Sequence, residues 1–278
     1  MKLYFIIATI EGREKLLFKL LESIETIFTI NNYEVIIVRQ YNTKKLFVDK
    51  KNCTIFNINT YGASKARNFG LKIIKPRLKL DDYICFPDDD CYYENNFQRI
   101  LIKNIKKSLD IIFGDIRDPN DKFRMGAQVL SKTNLKLNFI SINCPCFFIK
   151  YRLLNGNLFN ENYGPGAPLF AVEETELLYR ISKSKKKINI LYDSNLKIFH
   201  PYKIIEGQKL RNYAYAQGAF FRNIFNPFSI QFWIYLIVII RPFIGYISYF
   251  FDYEKKKYYL ERCISITKGF LRNGVKNL

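Results

Sequence analysis

The chain has 278 residues, 49% of them hydrophobic, with 44 Lys and Arg against 25 Asp and Glu, for a formal charge of +19. That apolar content excludes a wholly disordered chain, and the length allows one large α/β domain or one domain with an appendage. A cationic surplus of this size points to an anionic partner: nucleic acid, acidic lipid or a phosphorylated substrate.

In chain order, Leu3–Ala8 reads as a strand, and Glu14–Phe28 places Leu17, Leu20, Leu21, Ile24 and Ile27 at helical spacing. Glu34–Val38 and Cys53–Ile58 are further strands, Ala63–Ile74 a helix and Tyr83–Phe86 a fourth strand. This alternation predicts a mostly parallel sheet built from right-handed crossovers. Such sheets bind ligands at the carboxyl ends of their strands, where Thr9, Arg39 and Asp88–Asp90 fall. Ile111–Phe113 and Cys146–Lys150 read as strands and Met125–Leu130 as a candidate third; Glu161–Pro168 is a loop by composition. A helix opens near Glu173 with Leu177, Leu178 and Ile181 on one face, followed by strand pieces at Ile188–Tyr192 and Lys197–His200.

From Phe225 the character changes. Two apolar runs, Phe228–Ile240 and Pro242–Phe251, are separated by Arg241-Pro242. Each is shorter than the roughly 20 residues a spanning helix needs, and a charge and a helix breaker divide them. Their aromatics and the following Lys255-Lys256-Lys257 suit an anionic membrane surface better than its interior; a buried core helix is the alternative. The other basic run, Lys183–Lys187, reads as a solvated face. The six cysteines (Cys53, Cys85, Cys91, Cys144, Cys146, Cys263) form no paired CxxC sets, and Met1–Ile7 reads as a first strand rather than a signal peptide. Reduced thiols in a cytosolic protein are therefore expected, with Cys144-Pro145-Cys146 a buried structural pair in preference to a redox pair.

The residues that carry chemistry are acidic. Asp88-Asp89-Asp90 ends the fourth strand, and carboxylates packed this closely need a cation among them. Oxygen ligands at a strand mouth suit Mg²⁺ or Mn²⁺ shared with a substrate phosphate; a solvated acidic turn is the plain alternative. Glu173-Glu174 opens a helix, where acids are also favoured by the helix dipole alone. The single histidine, His200, argues against a His-based zinc site or triad, and serves either as a ligand or as a structural residue.

Four segments stand in a telling order: Ala8-Thr9-Ile10-Glu11-Gly12-Arg13, Gly62-Ala63-Ser64-Lys65-Ala66-Arg67-Asn68-Phe69-Gly70, the aspartate triplet, and Glu173-Glu174-Thr175-Glu176. Together they resemble the family 2 glycosyltransferases, inverting enzymes of GT-A fold, over approximately Lys2 to Asn223. The resemblance implies an α/β, Rossmann-like GT-A domain over residues 1–223; the apolar and basic composition of 224–278 reads as a membrane-interfacial helical segment after it. It implies transfer of a hexosyl or N-acetylhexosaminyl group from a nucleotide-diphosphate sugar, most often a UDP-sugar in this family. The acceptor class it implies is a glycan or lipid-linked saccharide of bacterial surface polysaccharides, made in the cytoplasm on the inner membrane face.

By position in the motifs, Asp88 and Asp90 match the Asp-x-Asp that holds Mn²⁺ or Mg²⁺, with His200 a third ligand. Glu174 matches the general base, with Glu173 second. Thr9, Glu11, Arg13, Gln40, Lys65, Arg67, Asp88 and Asp89 fall where the donor nucleotide and its diphosphate bind. One departure stands out: the family's Asp after the second strand is replaced by Arg39-Gln40, and Arg39 cannot accept a hydrogen bond. The competing readings are a degenerate sugar-nucleotide-binding protein, a metal-dependent phosphohydrolase, and a nucleic-acid-binding protein. The last is supported by charge alone and is set against by an acidic groove, so no nucleic-acid partner is expected.

Overall fold

Leu3, Phe5 and Ile7 leave one side of the first strand and Tyr4 and Ile6 the other, and all five are buried. A strand apolar on both faces must lie inside a sheet covered on both sides. The computed structural model, which describes residues 1–28, 32–41, 50–120, 125–184, 187–202 and 205–272, has that architecture. Its elements are β1 (Leu3–Ile10), α1 (Glu14–Ile27), β2 (Tyr33–Gln40), β3 (Cys53–Ile58), α2 (Ala63–Ile74), β4 (Tyr83–Cys85), β5 (Tyr92–Tyr93), α3 (Phe97–Ile105) and β6 (Ile111–Arg117). They continue with α4 (Leu135–Asn138), β7 (Phe147–Lys150), α5 (Tyr151–Leu154), α6 (Glu173–Ser182), β8 (Ile190–Phe199), α7 (Gly207–Asn223), α8 (Ile230–Ser248) and α9 (Tyr253–Leu271).

The eight strands form one sheet in the order β3-β2-β1-β4-β7-β6-β8-β5. Strands β3, β2, β1 and β4 run parallel, as does β6 with β8, whereas β7 and β5 pair antiparallel to their neighbours. The sheet is therefore parallel on one side and mixed on the other. On one face, Leu3, Phe5 and Ile7 pack against Leu17, Leu20, Leu21 and Ile24 of α1 and against Phe97 and Leu101 of α3. Phe5 sits in an aromatic cluster there, 5.1 to 6.2 Å from the rings of Phe28, Tyr33, Tyr93 and Phe148. On the other face, Tyr4 and Ile6 meet a core that extends through α2 and α6 to α7 and α8.

The expected boundaries of the first four strands and first two helices hold to within two residues, and several differences have physical causes. The two strand pieces near residues 188–200 form one strand, β8, which runs through the polar Asp193-Ser194-Asn195. Its pairing with β6 shifts register between Phe113 and Asp115. Gly114 makes this possible, because a Cβ there would lie 2.0 Å from the Leu196 carbonyl oxygen. Met125–Leu130 is irregular rather than a strand. The run Lys183–Lys187 lies partly outside the described residues, at 185 and 186. All six cysteines are free, and Cys144 and Cys146 are both buried.

The apolar C-terminal runs are not divided at Arg241-Pro242. They form the single 19-residue helix α8, with Pro242 inside it. The helix survives its proline because Pro242 is buried against the protein together with Phe232, Ile234, Tyr235, Ile239 and Gly245, so tertiary packing offsets the lost backbone bond. Tyr235 is the anchor, with ring centroids 4.9 Å from Phe220 and 6.3 Å from Phe139. Among the described residues, α8 is the one helix long and apolar enough to cross a membrane by length and composition.

Helices α7 and α9 approach closely through two glycines. A Cβ on Gly218 would lie 2.0 Å from the Ile266 carbonyl oxygen, and one on Gly269 the same distance from that of Tyr215. In an ordinary helix interior, Gly→Ala stabilises by about 1 kcal/mol. Here the sign should reverse: Gly218→Ala and Gly269→Ala are each expected to destabilise by about 1–3 kcal/mol through overpacking. Urea denaturation checks this, and a raised midpoint in either variant would mean that the helices are not in backbone contact.

Candidate active site

Because β1, β2 and β4 are parallel neighbours, their carboxyl ends open on one side, where a cavity of about 610 Å³ lies. Ala8, Thr9 and Ile10 enter it from β1, Gln40 from β2, and Asp88, Asp89 and Asp90 from the segment after β4. Residues Val172, Glu173 and Glu174 close it from the start of α6, His200 from the end of β8, and Lys209 and Tyr213 from α7.

The segment Gly62–Gly70 explains how α2 reaches this cavity. Ser64, Arg67 and Asn68 share one helix face by their spacing. Ser64 Oγ donates to the Tyr163 carbonyl at 2.6 Å, and Asn68 Nδ2 donates to the Phe159 carbonyl at 2.9 Å. These two bonds fasten the helix to the loop leading toward α6. Gly70 lets the helix lie on β1, since a Cβ there would come within 2.5 Å of Ile6 Cγ2. Arg67 is then free to bridge: Nη2 donates to Asp88 Oδ1 and Nη1 to Glu173 Oε1, both at 3.0 Å. Of the two roles open to it, bracing the acids or neutralising diphosphate, Arg67 performs the first.

The three aspartates have different partners. Asp89 is buried, accepting from Thr9 Oγ1 at 2.6 Å and from Arg13 Nε at 2.8 Å, so it anchors the β1 loop. Asp90 lies between Arg13 Nη2 at 2.9 Å and His200 Nε2 at 3.0 Å. Burial alone would raise its pKa, but the His200 and Arg13 bonds outweigh that and hold it well below the usual carboxylate range. Burial likewise opposes charge on His200, yet Asp90 and Asp88 raise its pKa above the ordinary value. Asp88 is raised, chiefly by desolvation, against the pull of Arg67.

Among the described residues, no group of three His, Cys, Asp or Glu side chains closes on one point to cage a metal. The donor chemistry still fits a hard divalent cation. Asp88 and Asp90 contribute oxygens and His200 a nitrogen within one cavity, the incomplete protein set typical of ions that complete their shell with phosphate and water. For His200 to ligate, the coordinating nitrogen must first be free of its proton, and for Nε2 that is the proton that makes the bond to Asp90.

Across the cavity, Glu174 is strongly perturbed. Burial, reinforced by the charge of Glu173 and opposed by Arg67, pushes its pKa up to about 8. It follows Val172, a β-branched residue at φ 65°, ψ 20°, a left-handed conformation that costs about 1–3 kcal/mol. Gly164 faces this turn at φ 103°, where a Cβ would press on Glu173 and Ser64 at 3.0 Å. Cys144 also lines the cavity, but burial pushes its thiol far up, so the sulfur stays protonated and is no nucleophile.

Of the residues singled out in the sequence, Thr9, Arg13, Gln40, Arg67, Asp88, Asp89, Asp90, Glu173, Glu174 and His200 all line this cavity. Lys65 does not; it is exposed and lines a separate hollow with Lys72 and Glu161. Glu11 is not among the lining residues either. Arg39 is buried and pairs with Glu14 Oε1 at 2.6 Å, facing α1. Gln40 Oε1 accepts from Gly62 N–H at 2.7 Å, which ties down the side chain and leaves its amide nitrogen to read a ligand. Sequence reasoning missed Tyr61, Lys209 and Tyr213, which enter the cavity from segments with no motif of their own.

Residues 4–161 match the family model for glycosyl transferase family 2. No curated protein is significantly similar in sequence. Among solved structures, S. aureus TarS residues 1–349 is similar at TM-score 0.62 and 16% identity, over 98% of this chain and 81% of that one. The same protein in complex with UDP-GlcNAc gives 0.63 and 15%, over 97% and 82%. Its complex with UDP gives 0.59 and 17%, over 83% and 68%. At these identities the likeness establishes the fold, a GT-A glycosyltransferase sheet.

The raised pKa of Glu174 has a consequence for stability. A carboxyl whose pKa is higher in the folded than in the unfolded state favours folding while protonated. That contribution is complete below the unfolded value of about 4.3. It is lost as pH rises through the folded value of about 8. Glu174→Gln cannot ionise, so its Tm in chelator should match wild type near pH 4 and exceed it by a growing margin up to pH 8. A difference independent of pH would show that Glu174 ionises as an ordinary surface glutamate.

Proposed function

Since the chain belongs to glycosyl transferase family 2, we propose that it moves a hexosyl or N-acetylhexosaminyl group, with inversion, from a nucleotide-diphosphate sugar to a hydroxyl of a glycan or lipid-linked saccharide. The observation that carries this is one cavity holding Asp88–Asp90 and the Arg67-braced Glu173-Glu174 pair at the strand ends. Because S. aureus TarS was solved with UDP-GlcNAc, UDP-sugars are the first donors to try. The product class is a surface polysaccharide of a bacterium, and on this reading the enzyme works in the cytoplasm at the inner face of the cell membrane.

Each side chain then has a task. Asp90 and Asp88, with deprotonated His200, would hold Mn²⁺ or Mg²⁺. When bound, such an ion supplies positive charge to the departing diphosphate. Arg13 and Thr9 fix Asp89, which keeps the triplet in place while Asp90 exchanges partners. Glu174, as carboxylate, takes the proton of the acceptor hydroxyl; the hydroxyl oxygen bonds to the anomeric carbon as the carbon–oxygen bond to the diphosphate breaks. One displacement inverts that carbon. Glu173 and Arg67 set the position and charge of Glu174. With Arg39 turned to Glu14, the nucleobase is left to the Gln40 amide and to the ring of Tyr61 at the cavity wall.

Nucleotide release from a panel of sugar nucleotides, with and without saccharide acceptors, tests the reading directly. Release that depends on acceptor supports transfer. Release of inorganic phosphate instead would favour a phosphohydrolase, and binding with no turnover a degenerate relative. Asp90→Asn keeps shape but removes a charge and should abolish turnover; wild-type activity in excess EDTA would exclude the metal.

Glu174→Gln should bind nucleotide almost normally in titration calorimetry while turnover falls about 10²-fold or more. The wild-type kcat should rise with pH through a value above the usual carboxylate range, as the raised pKa of a base requires. Normal turnover in Glu174→Gln beside a dead Glu173→Gln would transfer the role to Glu173.

A further inference from the structure

One side of α8 is packed and the other is not. Phe232, Tyr235 and Ile239 are buried against the domain, and Gln231 Nε2 donates to Ser182 Oγ at 3.2 Å. The opposite side presents Trp233, Ile237, Ile240, Ile244, Ile247 and, past the helix end, Phe251, with exposures from 41% to 99%. Their spacing alternates four and three, so they form one straight apolar stripe. A stripe this long on an otherwise charged protein marks a surface that something covers.

Charge says what covers it. Exposed Arg241 flanks the stripe, and Lys255, Lys256 and Lys257 follow it at the start of α9. Lys255 lies 4.9 Å from the Tyr249 ring centroid and Lys256 3.9 Å from that of Phe250, which gathers the cations beside the apolar residues. An apolar stripe bordered by cations and carrying a tryptophan matches an anionic bilayer surface. A second copy of the chain would instead bring two proteins of charge +19 together.

We propose that this face of α8 docks on an anionic lipid bilayer, with the helix lying in the interface plane and not crossing it. Crossing would expose Gln231 and strip Tyr235 from its aromatic partners, whereas in-plane docking leaves both in place. The docked helix also sets where the cavity stands. Helix α7 carries Lys209 and Tyr213 in the cavity near one end and Phe220 and Phe221 against α8 at the other. Its length, about 25 Å at the usual rise, bounds the distance between cavity and membrane surface. A lipid-linked acceptor is then the substrate class within reach; this last step rests on the transfer reading above, while the docking itself does not.

Trp233 is the sole tryptophan, so its fluorescence reports on this face alone. With phosphatidylcholine vesicles containing phosphatidylglycerol, its emission should shift to the blue and be quenched by bromine carried shallow in the acyl chains. Pure phosphatidylcholine should have little effect, and high salt should release the protein. Ile237→Ser/Ile244→Ser should abolish binding, and Lys255, Lys256 and Lys257 changed to Gln should weaken it about tenfold or more. Both variants should retain wild-type Tm and donor turnover on a soluble acceptor, while turnover on a vesicle-anchored acceptor falls. No shift with anionic vesicles would overturn the proposal. So would a shift that follows protein concentration without lipid, which would mean a second copy, or quenching at the bilayer centre with release only by detergent, which would mean a span.

Discussion

The site depends on one buried guanidinium. Arg67 joins the end of β4, through Asp88, to the start of α6, through Glu173, and neither carboxylate is close to it in sequence. Removing a buried cation between two acids leaves uncompensated charge at a cost of about 3–5 kcal/mol. The site cannot lose Arg67 and keep its shape. The rest of the segment serves this one residue: Ser64 and Asn68 fasten the helix to the loop at 159–163, and Gly70 allows it to lie on Ile6. What reads as a ligand-binding signature is largely a device for placing one arginine.

Around that joint the charges do not balance. Asp88, Asp89, Asp90, Glu173 and Glu174 share the cavity with Arg13, Arg67, His200 and Lys209. Arg13 and His200 settle on Asp89 and Asp90, Arg67 is shared between Asp88 and Glu173, and Asp88 and Glu174 both hold protons more tightly than usual. Any positive charge entering near Asp88 would ease that strain and lower the affinity of Glu174 for its proton. A cation near Asp88 and the proton on Glu174 are thus electrostatically coupled within one cavity, while the cationic exterior draws anionic ligands toward it.

Much of this was legible in the sequence because its strands are short apolar runs between polar turns and its site motifs are local. The segments around Thr9, Arg67, Asp88 and Glu173 could be read singly, and a parallel sheet brings such strand ends together. Pairings across the fold could not be read. Glu14 taking Arg39 and Arg13 taking Asp89 join residues whose nearness follows only from the sheet order. Local rules also misled where pairing or packing across the fold overrode them. Asp193-Ser194-Asn195 looks like a turn but lies within β8, and Pro242 looks like a helix end but faces the core of a continuous helix. Lys65 stands two residues from Arg67, and on a helix that spacing turns it to a different face.

Helix α7 ties the cavity to the outer helices more firmly than a linker would. Its Gly218 and the Gly269 of α9 bring two backbones into contact, an arrangement that cannot slide without separating. Its aromatic residues Phe220 and Phe221 hold Tyr235 and Phe232 of α8 at ring distances of 4.9 and 5.3 Å. A mobile tether would let the cavity take any orientation to a surface under α8; a packed helix fixes one. Orientation matters most for an acceptor that is itself confined to that surface, because restricting both partners removes freedom that each encounter would otherwise have to lose. The close glycine packing and the apolar stripe are therefore two parts of one arrangement, the first giving rigidity and the second giving it something to be rigid against.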